Sequence, residues 1–241
     1  MPFRHAIVIG ASSGIGAEIT ALLAEDGCRV AAVARRLDRL EQLAARFPDR
    51  VLPFAHDVTR YEEVPALFQE ITGRLGGLDL VLYASGVMPE VGEEEFSFEK
   101  DHRMIEVNLL GAIAWLNQAA IRFQNTGSGT LVGIGSVAGD RGRYGQPVYN
   151  ASKAALATYL EALRNRLDRR GVTVVTINPG PVQTEMTAHL HLKGALPARR
   201  AAEILLRKSE TAGEHYLLPQ HRLIFAIIRA LPSWLFRKLR I

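Results

Sequence analysis

The segment "VYNASKAAL", residues 148–156, sets a tyrosine, Tyr149, four residues ahead of a lysine, Lys153. At about 100° per residue, positions 149, 153, 156, 160, 163 and 167 fall on one stripe of a helix. Those positions are Tyr149, Lys153, Leu156, Leu160, Leu163 and Leu167. Leucines that must face a core therefore carry a phenol and an ammonium in the same direction. A free phenol, with a pKa of about 10, is a poor proton relay at neutral pH. A lysine cation one turn away and the positive end of the helix both favour the phenolate, so a lowered tyrosine pKa is expected. Such a tyrosine gives a proton to an alkoxide forming from a carbonyl, or takes one from an alcohol. Ser136, in "GIGSVAG", ends a strand-like segment and is placed to hold the substrate oxygen.

A second chemical signal precedes it. "IGASSGIG" puts Gly10, Gly14 and Gly16 in a G-x3-G-x-G pattern directly between a strand-like and a helix-like segment. Glycines there allow a tight turn and close backbone approach to a pyrophosphate, and the helix N-terminus offers free N–H groups to the anion. Candidate contacts in the turn are Gly10, Ser12, Ser13, Gly14, Ile15 and Gly16. Where an NAD binder carries an acid for the ribose 2′-hydroxyl, this chain has Arg35 and Arg36. A guanidinium pairs with a 2′-phosphate that a carboxylate would repel, which favours NADP(H); Arg36 also reads as a solvated helix-start residue. Asp57, followed by Val58 in "HDVT", is a candidate for the adenine amino group, and equally a turn or helix-cap residue.

These residues need a frame. Apolar segments at 5–10, 29–34, 51–58, 78–85, 129–136, 172–179 and a short one at 214–219 alternate with helical patterns at 14–26, 37–47, 61–75, 99–124 and the tyrosine-lysine helix. That alternation predicts a parallel sheet covered on both faces, a doubly wound α/β fold in three layers. Residues 1–220 read as one domain. The stretch 180–198 is long and irregular and reads as a lid. No apolar run is expected to reach the length of a bilayer span, and the N-terminus lacks a signal-peptide pattern. The one cysteine, Cys28, points to a reducing, cytoplasmic compartment.

Net charge is +4, yet residues 221–241 hold five Lys/Arg and no acid, so the body is nearly neutral. A nucleic-acid surface is not expected. The basic, apolar tail "RLIFAIIRALPSWLFRKLRI" has three competing readings: contact with a partner subunit, closure over an apolar substrate, or peripheral contact with an anionic membrane. Pro232 should kink it or start a second short helix. His189 and His191 alternate with leucines in the lid; with no further ligands nearby, no metal is expected.

Taken together, "GASSGIG", "HDV", "VN" at 107–108, "GS" at 135–136, "YNASK" at 149–153 and "NPGPVQT" at 178–184 resemble the short-chain dehydrogenase/reductase family over about residues 5–187. The resemblance implies a Rossmann-like domain with a seven-stranded parallel sheet. It also implies hydride transfer between a nicotinamide and a carbonyl or alcohol carbon of a small molecule, and a homodimer or homotetramer. It maps a catalytic set onto Asn108, Ser136, Tyr149 and Lys153, with Asn108 helping to hold a water that leads from Lys153 to solvent. Further cofactor contacts implied are Ser85, Gly86, Pro179, Gly180, Val182 and Thr184, besides Tyr149 and Lys153 themselves, with Arg35 at the phosphate. Met88, Tyr144 and Met186 stand where the family lines its substrate pocket. Two departures stand out: Ile9 replaces the usual threonine before the first glycine, and Tyr83, Ala84, Ser85 and Gly86 replace the usual Asn-Asn-Ala-Gly. A cofactor-binding regulator or scaffold with little turnover is the competing class.

Overall fold

The computed structural model describes residues 2–190, 192 and 194–239; His191 lies outside them. Strands β1 (His5–Ile9), β2 (Arg29–Ala34), β3 (Val51–Ala55), β4 (Leu80–Tyr83), β5 (Gly129–Ile134), β6 (Val172–Asn178) and β9 (Gly213–Tyr216) form one sheet in the order β3-β2-β1-β4-β5-β6-β9. Every pairing in it is parallel. The order turns at β1, with β2 and β3 on one side and β4 onward on the other, and such a switch point opens a crevice at the strands' carboxyl ends.

Strand alternation divides the core between two faces. Ala6 and Val8 of β1, with Leu80 and Leu82 of β4, pack against α1 (Gly14–Glu25), α2 (Leu37–Arg46) and α7 (Ala198–Lys208). Ile7, Ile9, Val81 and Tyr83 point the other way, toward α3 (Val64–Leu75), α5 (Gly111–Thr126) and α6 (Pro147–Leu167). On α6 the stripe is buried along its length, with Leu156, Leu160, Leu163 and Leu167 between 0% and 6% exposed. Each fully buried leucine contributes about 1.5–3 kcal/mol, so the leucines set the helix rotation that turns Tyr149 and Lys153 inward.

Three expectations change. The helix placed at 99–124 is broken into α4 (Phe98–Ile105), a π-helical turn (Glu106–Leu110) and α5. This continuous run, Phe98–Thr126, is long and apolar enough to cross a bilayer by length and composition, contrary to the expectation that no segment is; half of its most apolar window is buried within the fold. The stretch 180–198 carries short elements, β7 (Val182–Gln183) paired with β8 (Leu196–Pro197) and a 3-10 turn at Glu185–Leu190, and α7 follows it directly. The tail forms α8 (Pro219–Ala230) and α9 (Ser233–Phe236), separated at Pro232. Arg141 holds it to the body: Nη1 donates to Ile228 O at 2.6 Å and to Arg229 O at 3.3 Å, and its guanidinium lies 4.3 Å from the Phe236 ring centre. Leu223, Ile227 and Trp234 of the tail stay exposed.

Candidate active site

A cleft of about 470 Å³ runs along the carboxyl ends of β1, β4, β5 and β6. Gly10, Ser12, Ser13, Gly14, Ile15 and Gly16 form one end of it, with Arg35, Arg36, Asp57 and Val58 beside them. Gly10 sits at φ +92, and a Cβ there would meet Ser85 N at 2.6 Å. Only a glycine lets the chain turn this tightly over β4. The first turn of α1 holds no acid, and Ser13 at its N-cap makes no side-chain cap bond, so no side chain caps the first N–H groups of the helix. Ser85, Gly86, Met88, Ser136, Tyr149, Lys153, Pro179, Gly180, Val182, Thr184 and Met186 line the rest.

Lys153 is 6% exposed. Its Nζ donates to Ile134 O, the last residue of β5, at 3.0 Å. Burial pushes its pKa down to about 8. Tyr149 lies beside it, 9% exposed, with Lys153 Nζ 5.8 Å from the ring centre. Contrary to the sequence expectation, the phenol's pKa is raised, because desolvation dominates; side-chain hydrogen bonding with Ser136 and the Arg143 cation work against it.

Asn108 does not line the cleft. Its Oδ1 accepts from Val87 N at 2.7 Å, and its Nδ2 donates to Val87 O at 3.0 Å and Ser152 Oγ at 3.1 Å. The amide thus ties the segment after β4 to α6, next to Lys153; a Cβ on Gly86 would lie 3.4 Å from Asn108 Oδ1 and 3.6 Å from Lys153 Nζ. The π turn places Asn108 there. Gly111 N–H bonds Glu106 O, five residues back, and so bypasses Val107 O, its α-helical partner. The fully buried Tyr83 hydroxyl donates to Val107 O at 2.5 Å. Gly111 makes room for it, since a Cβ there would stand 2.6 Å from the Tyr83 oxygen. Tyr83, where the family has asparagine, is therefore matched to the π turn and to a glycine on the same helix.

Arg36 is not a free helix-start residue. It donates to Ser12 Oγ at 3.0 Å and Ser13 Oγ at 2.6 Å, and pairs with Glu185 at 2.8 Å. Arg35 is more exposed and lies 3.9 Å from Asp57 Oδ2. Asp57 Oδ1 accepts from Thr59 N at 3.0 Å and from Thr59 Oγ1 at 2.9 Å, and Oδ2 lies 3.4 Å from Arg103 Nη2, so its turn-forming part is real. Tyr144 departs from expectation. It is half exposed, its hydroxyl donates to Glu93 at 3.2 Å, and it is absent from the cleft wall, which its neighbour Arg143 lines instead. Sequence reading also missed Arg103 on α4 and Phe225 on α8, because helical spacing does not say which distant segment a helix face packs against. Among the described residues no cluster of His, Cys, Asp and Glu suits a metal ion.

Residues 4–194 match the family described as short chain dehydrogenase. An uncharacterized oxidoreductase of Myxococcus xanthus is 38% identical over 191 residues, covering 78% of this chain and 76% of that protein. A short chain dehydrogenase from Burkholderia cenocepacia, solved in complex with NADP, superposes with a TM-score of 0.86 at 24% identity over 99% of this chain and 98% of that one. An actinorhodin polyketide ketoreductase variant solved with NADPH gives a TM-score of 0.81 at 24% identity over 89% and 95% of the two chains. The chain belongs to the short-chain dehydrogenase family and is an oxidoreductase of that family.

Two measurements test this geometry. Tyr83→Phe leaves Val107 O unpaired and should cost about 1–3 kcal/mol, and Gly111→Ala should cost about as much by overpacking. In urea unfolding the double variant should lose less than the sum by at least about 0.5 kcal/mol, because removing the hydroxyl makes space for the methyl. The second concerns Lys153. Its folded pKa, about 8, lies below the ordinary 10.5. Between those values the unfolded chain keeps the proton and the folded chain has lost it, so folding gains stability as pH rises through that window. The stability of the parent relative to Lys153→Met should therefore climb by up to about 3 kcal/mol between pH 8 and pH 10.5, and a flat difference would contradict the buried amine.

Proposed function

We propose that the protein is an NADP(H)-dependent carbonyl reductase, or alcohol dehydrogenase in the reverse direction. The observation that carries this reading is the convergence of Ser136, Tyr149 and Lys153 on one wall of the cleft that begins at the glycine turn. A dinucleotide fits the residues present: a glycine cradle that a Cβ would fill, an uncapped helix N-terminus, and paired guanidinium groups beside it. The NADP and NADPH in the two solved relatives named above agree with this cofactor. Arg35 and Arg36 would hold the 2′-phosphate, and Ser12 and Ser13, already bonded to Arg36, would extend the same anion site. Asp57 would lie at the adenine end. Lys153 would reach the nicotinamide ribose, and Thr184, Val182, Gly180 and Pro179 would flank the nicotinamide.

When bound, the cofactor supplies or accepts the hydride. The chain's own residues handle the proton and the oxygen. Ser136 Oγ donates to the substrate oxygen and holds it against the phenol. Tyr149 Oη would give its proton to that oxygen as the carbonyl carbon gains a hydride, so that the product is an alcohol. The raised phenol pKa keeps the proton on Tyr149 until negative charge develops on the oxygen. Lys153 stabilises the phenolate that results, and Asn108 fixes the segment against which Lys153 is packed.

Tyr149→Phe should lower kcat by at least about 10²-fold, the usual contribution of a positioned acid–base group, while NADPH binding measured by fluorescence stays within a factor of three or so. Undiminished NADPH oxidation by this variant with any active ketone or aldehyde would exclude the proton relay. Replacing both Arg35 and Arg36 by alanine should raise the KM for NADPH by about 10–100-fold and leave that for NADH nearly level. Equal effects on the two cofactors would remove the phosphate assignment.

A further inference from the structure

Two arginines lie two residues apart in the loop before α6, and they behave differently. Arg141 spends its donors on backbone carbonyls at the end of α8. Arg143 has no such partners. It lines the cleft with Ser136 and Tyr149. Its Nε is buried and makes no hydrogen bond. Its Nη2 reaches Asn150 Oδ1 only at 3.5 Å, a weak contact. Among the described residues no carboxylate pairs with it, and burial lowers its pKa. A guanidinium drawn partly out of water, as this half-buried one is, is destabilised unless a partner is supplied. A brace for the loop would satisfy these donors within the protein, as Arg141 does.

The surroundings narrow what the partner is. Met88, Met186, Leu190, Leu192 and Phe225 make the neighbouring walls apolar. The other arginines of the cleft, Arg35, Arg36 and Arg103, stand at the Asp57 end and already face carboxylates, and Lys153 Nζ is taken up by Ile134 O. One unpaired guanidinium in an apolar chamber suits one negative charge, and its planar fork matches a carboxylate through two parallel hydrogen bonds. A pocket that is mostly apolar with one placed polar group binds an apolar body in a single orientation.

We infer that Arg143 is the carboxylate-binding group of the substrate pocket, and that the substrate is an apolar oxo acid or the corresponding hydroxy acid, held with its carboxylate on Arg143 and its oxygen on Tyr149. This rests on the oxidoreductase reading above and adds nothing to its redox balance; the carboxylate is bound and unchanged while the carbonyl gains a hydride and a proton. Because the Arg143 cation also opposes the rise of the Tyr149 pKa, it links substrate recognition to the acid.

The test uses the full chain with NADPH and a panel of straight-chain oxo acids, with the carbonyl two to five carbons from the acid end, each beside its methyl ester. At one or more chain lengths the acid should exceed its ester at least tenfold in kcat/KM. Arg143→Gln should raise KM for that acid by about 10–100-fold, the loss expected for a charge-assisted pair, with a much smaller effect on the ester. Arg143→Lys should recover part of it. Acid and ester turned over equally by the parent, or lost in equal measure by Arg143→Gln with unchanged folding by circular dichroism, would overturn the inference. A second arm needs no turnover: calorimetry of hexanoate and hexanamide on the protein saturated with NADP⁺. Hexanoate should bind the parent tighter than the amide, and Arg143→Gln should abolish the difference; no preference in the parent overturns the carboxylate site. Absence of turnover with every carbonyl, alongside an intact hexanoate preference, would instead count against the oxidoreductase chemistry.

Discussion

Helix α6 lies so close to the sheet that β5 has no room for a side chain at Gly133. A Cβ on Gly133 would stand 2.4 Å from Leu160 Cδ1. A second close approach occurs one turn beyond the strand, where a Cβ on Gly139 would meet Ala154 N at 2.9 Å. These two contacts set the depth of the helix, and the rest of the site depends on that depth. With α6 seated on Gly133, Lys153 Nζ reaches the carbonyl of the adjacent Ile134, and Tyr149 is carried below the surface to the side of Ser136. A helix raised by the thickness of a methyl group would leave the ammonium short of its acceptor, and a buried cation without one is unstable.

The same economy of space governs the opposite wall. Tyr83 fills the place where related chains carry an asparagine, and its hydroxyl takes up the carbonyl that the π turn sets free. Gly111 supplies the vacancy the hydroxyl needs. Asn108, standing inside that turn, is left with its amide fully engaged by Val87 and Ser152. Backbone polar groups in the interior must be paired, so the aromatic substitution, the glycine and the π turn form one unit.

Electrostatics divides the cleft into two ends. Arg35, Arg36 and Arg103 crowd around Asp57 and Glu185, and the Arg36–Glu185 pair ties the segment after β7 across the glycine turn. The Arg36 guanidinium holds the Glu185 carboxyl below its usual range, although both are largely exposed and such a pair is worth little in water. At the far end Arg143 is half-buried, and among the described residues it pairs with no carboxylate. One end is a set of cations that already face acids; the other holds a cation that faces none among the described residues.

Periodicity alone determined much of this. The alternation of apolar strands with helices predicts the parallel sheet, and the α6 stripe predicts that Tyr149 and Lys153 face inward, because leucines four and three residues apart have only one way to be buried. Glycines placed between strand and helix mark the turn at Gly10 for the same local reason. Other features were decided by contacts between residues far apart in the chain. Tyr83 with Val107, Asn108 with Val87, Arg36 with Glu185 and Arg141 with α8 each join segments whose spacing in sequence carries no geometric information. The direction of the tyrosine's pKa was reversed in the same way: proximity to a cation is written in the sequence, but desolvation is set by how much of the molecule closes over the group. In the loop before α6 the sequence places Arg143 and Tyr144 side by side without a period to orient either, and only the packing of that loop turned the arginine into the cleft and the tyrosine out toward Glu93.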